Sequence, residues 1–364
     1  MEKNNYRAED IFGTGLSEEE AVRRIGSDRK TYEKYQSFPE SFRKEVLEFY
    51  EGIKGAPLLY DVFFRKIFDP AEHPDRVERF ISALLGQEVR IKEVLTREGS
   101  QLADRGSLVI MDIIVELEDG SYVDVEMQKE GYLFPSQRSS CYAADMIMRQ
   151  YNRKKAQKEK DGKAFSYKDI TTVYLFVLME KQSKEFRGSK EYIHKREVSY
   201  SSGVKLSEIA QITYITLDMF DKTSDNNDDE LSAWLTLLIK SDAESVIKLV
   251  GMHPEFRDIY REIAIFRKDP KELIRMFSEA LYEMDKATER YMIEELQDDV
   301  KTANLRADKA EDRADKEKDR ADKAEDRADK EKNRADKAER EIADKDIEIA
   351  ELKKEIQRLQ DQKG

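Results

Sequence analysis

The chain has a single cysteine, Cys141, in 364 residues. An internal disulfide and a cysteine-ligated zinc site are therefore excluded, and the composition suits a reducing cytoplasm. Histidine is nearly as scarce. His73, His194 and His253 lie far apart without ligand spacing, so they read as ordinary side chains rather than metal ligands. No run of 18 apolar residues occurs, so no transmembrane helix is expected. The N-terminal MEKNNYRAED lacks the basic-then-apolar order of a signal peptide. The expected location is cytoplasmic, with no membrane partner. No helix-turn-helix or zinc-finger pattern is present, which leaves low sequence specificity as the expectation for any nucleic-acid contact. A cationic surplus is missing as well. The net charge of −13 argues against a nonspecific phosphate-binding coat. It does not exclude an enzyme that holds metal ions over DNA with carboxylates, because bound cations reverse the local sign.

What the chain has in excess is charge of both signs. Charged residues make up 39% of it, well above the usual quarter, and hydrophobic residues another 39%. The hydrophobic share is enough for a sizeable core, so the excess charge points to a long solvated element. Residues 301–364 are that element, with 19 basic and 20 acidic side chains. From Arg306, RADKAED, RADKEKD and their variants repeat every seven residues. Position a runs Val300, Ala307, Ala314, Ala321, Ala328, Ala335, Ile342, Ile349, Ile356. Position d includes Ala303, Ala310, Glu317, Ala324, Glu331, Ala338, Lys345, Leu352, Leu359. A sustained seven-residue repeat implies a left-handed coiled coil, and Ile at a with Leu at d favours a parallel dimer. The alanine heptads make a weak seam. They either pair or form a single charged helix held by i,i+4 pairs.

Four regions follow: helical residues 1–56, a mixed core at 57–222, a helical region at 223–292 and the heptads at 293–364. In the first, LSEEEAVRRI has Ser17 as N-cap with Glu20 three residues on, and FPESFRKEVLEFYEGI repeats apolar residues at helical spacing. LLYDVFFRKIFDP and PDRVERFISALLG are two more helices, with Pro70 as a stop and Gly86 as a C-cap. VRIKEVLT then alternates like a strand, SLVIMDIIVEL and SYVDVEMQ form a hairpin, and helical spacing returns over residues 136–158. TTVYLFVLME reads as a buried strand, and EVSYS and ITYITLDMF as two more. Helix, antiparallel strands, helix, strands is an α/β (α+β) core of about 150 residues.

The hairpin carries the chemistry. Asp124, Glu126 and Gln128 share one face of its second strand, and Val123, Val125 and Met127 the other. Whether Asp112 on the first strand meets Glu126 depends on one residue of register. A two-residue Asp119-Gly120 loop sends the two acids to opposite sides. A three-residue Glu118-Asp119-Gly120 loop, with Gly120 in the left-handed conformation, sets them face to face at roughly 4.5–5.5 Å between Cβ atoms. Opposed like charges are unfavourable unless a divalent cation uses them as ligands. Glu116 and Asp124 read as ordinary solvent-facing hairpin acids. Arg149, Arg153, Lys154, Lys155 and Lys158 form a basic cluster that suits either a DNA backbone or a solvated helix end.

In order and spacing, several segments together resemble the Rpn-type recombination-promoting nuclease/transposase family of bacteria, within the PD-(D/E)XK nuclease fold. YDVFFRKIF (60–68) resembles the family's early D-x-x-F-K-x-x-F helix, with Arg65 where Lys is usual. SLVIMDIIVELEDGSYVDVEMQK resembles its central hairpin. FPSQRSSCYAADM resembles the following helix with its R-x-x-x-Y, here Arg138 and Tyr142, and TTVYLFVLME resembles a later core strand. The resemblance spans roughly residues 55–220, with a looser helical match to about 290. It implies a Mg²⁺-dependent DNA endonuclease, with Mn²⁺ able to substitute, acting in recombination or element mobility. Asp112 and Glu126 are then the metal-binding carboxylates, with the Met127 carbonyl as a further ligand. Gln128 replaces the Lys of the wider fold and orients water without a charge of its own. Asp61 is a candidate further acid, and Arg138 a phosphate contact or brace. A noncatalytic assembly module built on the same fold is the alternative. Either reading includes a homodimer or higher oligomer through the heptads.

Overall fold

The computed structural model describes residues 6–96, 112–128, 135–223 and 229–361. Four helices open the chain: α1 (Ala8–Phe12), α2 (Glu18–Ile25), α3 (Arg29–Gln36) and α4 (Glu40–Tyr50). The Ser17 cap of α2 forms as expected, its hydroxyl accepting from the Glu20 N–H at 3.3 Å. Next come α5 (Asp61–Ile67) and α6 (Pro74–Leu85), the latter closed by Gly86 at φ +70°. β1 (Ile91–Val94), β2 (Ile113–Leu117) and β3 (Tyr122–Gln128) follow, then the long helix α7 (Pro135–Lys160), then β4 (Val173–Met179). The segment 107–111, expected to begin the first hairpin strand, lies outside the described residues.

β5 (Ile193–Lys195) and β6 (Ala210–Thr216) complete a six-stranded sheet in the order β1-β2-β3-β4-β6-β5. β3, β4 and β6 run parallel, and the two edges are antiparallel. α7 is the crossover that a β3-to-β4 parallel step requires. One strand expectation fails: EVSYS is exposed and not a strand, and three-residue β5 pairs with β6 just before it. The ITYITLDMF segment splits. Its first part is β6, and its end begins α8 (Leu217–Thr223). α9 (Glu230–Ile239), α10 (Ala243–Met252), α11 (Phe256–Ile265) and α12 (Pro270–Asp361) are the remaining helices.

The two faces of the sheet are covered differently. Ile113, Val115, Val123, Val125, Met127, Phe176 and Leu178 join one apolar core with the helices on either side in sequence, from Ile11 to Ala280. Trp234 sits in this core against Phe68, Phe80 and Phe256. The segments before and after the sheet therefore build a single shared layer. The opposite face lies under α7, where two smaller apolar clusters form. Met146 packs with Ile114, Tyr122 and Val173, and Ala143 with Leu175, Val177 and Tyr214.

The chain divides into two compact units, Met1–Met292 and Ile293–Gly364. Within the second, the described residues are helical to Asp361, and Ile342, Ile349, Leu352 and Ile356 are 48–60% exposed. Among the described residues no helix is long and apolar enough to cross a membrane.

Candidate active site

The turn between β2 and β3 decides the site. The Leu117 N–H donates to Ser121 O at 2.8 Å, and the Gly120 N–H to Leu117 O at 2.9 Å. These bonds close a three-residue Glu118-Asp119-Gly120 loop. Gly120 has φ +84°, a left-handed conformation that strongly favours glycine, and a Cβ there would also stand 3.1 Å from the Lys154 ammonium. The Asp119 carboxylate accepts from Ser121 N–H at 2.9 Å and holds the turn from outside. The resulting register pairs Ile113 with Val125 and Ile114 with Asp124. One residue further along, Asp112 faces Glu126.

The side chains continue the ladder where the backbone pairing stops. The Met127 N–H donates to Asp112 Oδ2 at 2.8 Å, and the Asp112 N–H donates to Glu126 Oε1 at 3.3 Å. Both carboxyls are buried, and Gln128 lies on their face, 6% exposed. Its Oε1 is buried and meets no donor among the described residues.

Asp124 was misjudged from sequence. It is 0% exposed and sits under α7, between Ile114 on β2 and Leu175 on β4. Among the described residues no N–H or hydroxyl reaches either of its oxygens. Among the described residues only the neighbouring Glu126 carboxyl can serve it, and only when one of the two carries a proton. Burial pushes Asp124 well above the usual carboxylate range, helped by the Asp112 charge and opposed by Arg149. Burial likewise pushes Glu126 well up, reinforced by Asp124 and then Asp112. A cluster of acceptor-only oxygens in a dry layer calls for protons or a cation.

One face of α7 looks onto this cluster. Arg138 Nη2 donates to the Tyr142 hydroxyl at 3.4 Å, one turn on. Burial raises the Tyr142 phenol, and the Glu126 charge adds to the effect. Two more turns along, Arg149 donates to Asp145 at 2.6 Å and to the Thr96 carbonyl at 2.5 Å. The Asp145 charge also bears on Asp124. Asp124 and Asp145 are the site residues that sequence reasoning passed over. Alternation along β3 already placed Asp124 beside Glu126, and the spacing 138, 142, 145, 149 is one helical stripe.

The rest of the basic cluster is engaged within the fold. Arg153 lies 2.5 Å from Glu93, and Lys92 lies 2.7 Å from Glu116. Glu116 also has Arg153 at 3.7 Å and Lys154 at 3.9 Å. It is only 3% exposed, so the expectation of a solvent-facing acid is corrected here too: three cations repay its burial. Lys158 pairs with Asp169 at 2.9 Å, and Lys155 lies 5.8 Å from the Tyr151 ring centre. Asp61 is the first residue of α5, whose apolar side chains join the core on the far face of the sheet.

Among the described residues no group of three or more Asp, Glu, His or Cys side chains is arranged to hold a metal ion. The opposed pair Asp112/Glu126 still fits a hydrated divalent ion. Mg²⁺ needs only one or two carboxylates, with waters and substrate oxygens completing its shell. The buried Gln128 Oε1, without a donor among the described residues, adds a neutral acceptor beside the pair.

Neither the curated proteins nor the solved structures include a match to this chain. A family model does match, that of the PD-(D/E)XK nuclease family transposases, over residues 58–296. That span takes in the whole sheet, both hairpin carboxylates and α7. The chain belongs to the PD-(D/E)XK nuclease family transposases.

Proposed function

We propose that the protein is a Mg²⁺-dependent DNA endonuclease, with Mn²⁺ able to substitute, acting in recombination or element mobility. One observation carries this reading: the three-residue turn that sets Asp112 opposite Glu126. When bound between them, the ion supplies Lewis acidity, activating water and offsetting charge on phosphorus. The protein's own groups do the rest. Asp112 and Glu126 hold the ion, and the Met127 carbonyl is the further ligand on the same strand. Gln128 aligns the attacking water by hydrogen bonding. Being neutral, it neither titrates nor lends charge. Arg138 meets a substrate phosphate from α7. Arg153 and Lys154 brace the sheet through Glu93 and Glu116, Arg149 is held by Asp145 on its own helix and by the Thr96 carbonyl, and all three meet DNA only by exchanging these partners. Asp61 is proposed only as a further acid outside the Asp112/Glu126 pair, since its helix packs on the opposite face of the sheet.

The test is cleavage of plasmid DNA with Mg²⁺ or Mn²⁺. Asp112→Ala and Glu126→Ala should each lose more activity than the roughly 10–100-fold typical of outer-shell partners. Unchanged cutting by either variant removes the assignment.

The heptads support self-assembly. In the second unit the Ile342, Ile349, Leu352 and Ile356 side chains are exposed and share one seam. We propose a parallel homodimer zipped at this end, in a reducing cytoplasm. Light scattering should show the dimer, and Ile349→Glu with Leu352→Glu should give monomer. An unchanged mass for that variant eliminates the zipper. A noncatalytic assembly module is the second reading, favoured by a neutral Gln128 where the wider fold has Lys. It predicts dimers without cutting at any divalent concentration.

A further inference from the structure

A cavity of about 470 Å³ opens between the N-terminal segment and the end of α11. Arg24, Arg261, Arg267 and Lys268 line it, and no acidic residue does. In a chain of net charge −13, four cations without a lining acid are a marked local reversal.

Arg267 is the unusual member. It is 6% exposed, and its Nη1 donates to the Phe12 carbonyl at 2.6 Å. Its guanidinium sits 4.8 Å from the centre of the Phe49 ring. Among the described residues, Nε and Nη2 are buried without an acceptor and no carboxylate pairs with the group. Burial alone draws it down to about 10, so it stays charged at neutral pH. An uncompensated buried cation is costly, and an anion nearby lowers that cost. A purely structural role explains Nη1, which ties the 266–268 turn to Phe12. It does not explain why three further cations converge there. Of these, Arg24 is held by Glu20 at 3.1 Å and Arg261 lies 3.7 Å from Asp258. Lys268 has no ion-pair partner among the described residues.

The loop Gly13-Thr14-Gly15 forms another wall. Gly13 has φ +70°, and a Cβ on Gly15 would overlap the Glu51 carbonyl oxygen. The Leu16 N–H anchors the loop on Tyr50 O at 3.0 Å. Among the described residues, the Thr14 and Gly15 N–H groups make no backbone hydrogen bond. Free N–H groups in a tight glycine loop are a recurrent anion cradle. Leu16, Ala264 and Ile265 add an apolar side.

We infer that this cavity binds a phosphate-bearing small molecule of nucleotide size. Guanidinium groups match phosphate oxygens in pairs, and the volume falls within the range of small-molecule sites. The apolar side suits a base or comparable ring. None of the lining residues belongs to the β2–β3 hairpin or to α7, so the site is separate from the nuclease hairpin.

The experiment is calorimetric titration of the full-length protein with ATP, AMP and inorganic phosphate, in chloride buffer without divalent metal. Saturable binding of a nucleotide at one site per chain is expected, with a rise in Tm. Arg261→Ala combined with Lys268→Ala, both at exposed positions, should weaken it about tenfold or more with the fold intact by circular dichroism. Asp112→Ala should bind as the parent does, which separates this site from the catalytic reading. No saturable binding, or equal affinity in the double variant, overturns the inference. Inorganic phosphate binding as tightly as either nucleotide overturns the nucleotide-sized assignment.

Discussion

The two faces of β3 use the same seven residues for opposite ends. Val123, Val125 and Met127 enter an apolar core that extends from Ile11 to Ala280. Asp124, Glu126 and Gln128 are buried as deeply, but under α7, where among the described residues both Asp124 oxygens and the Gln128 Oε1 meet no donor. Depth alone therefore says little about stability. The first face contributes by removing hydrocarbon from water. The second costs free energy, and the fold tolerates it because the first is so extensive.

Crossing the faces should have the largest effect. Val125→Asp places an unpaired carboxylate in the main core, where burial without partners costs several kcal/mol or more. Loss of the folded signal in circular dichroism is expected, and a native melt would show that the two faces are not distinct. Next comes Val125→Ala, which trims that core by two methyl groups for on the order of 2 kcal/mol in urea unfolding. A loss below about 0.5 kcal/mol would contradict the close packing on which the comparison rests.

The polar face should respond with the opposite sign. Folded Asp124 and Glu126 keep protons that the unfolded chain has released, since both are raised. Metal-free stability is then full below about pH 4 and falls as pH rises through the folded values, by at most about 1.4 kcal/mol per pH unit for each group. Asp124→Asn should make that fall shallower and leave the metal-free protein more stable than the parent at pH 7. An unchanged slope would mean that Asp124 is not the group responsible. Smallest is Glu116→Ala, which frees Lys92, Arg153 and Lys154 from a buried partner. About 1–2 kcal/mol should be lost, because the cations are partly solvated. A cost near zero would mark the cluster as dispensable to the hairpin.

Much of this was legible in the residues themselves. Ser17 with Glu20, Gly86 after a helical repeat, and the β-branched run before Met179 each pointed to one local structure, and each formed. The alternation in SYVDVEMQ identified the polar face. What it left open was whether that face meets solvent or a helix, because alternation records side and not cover. Asp124 and Glu116 were misread for this reason: α7, packed across from 135–160, turns the outer face inward. Alternative turns for Asp119-Gly120 were equally compatible with local preference, and Lys154 and Ser121 contacts resolve them only in three dimensions. EVSYS had strand composition but no strand to pair with, and β6 paired with Ile193–Lys195 instead.

The three-residue turn also makes the hairpin a phase setting. Substitutions at Glu118 or Asp119 leave the phase alone. An in-frame loss of one codon between Asp112 and Leu117 does not: the turn still pairs Leu117 with Ser121, and Asp112 arrives opposite Val125, on the apolar side of β3. Asp112, Glu126 and Gln128 would all survive in the translated sequence, and a motif search would still find them. The gene would read as intact while the protein it encodes had lost its site.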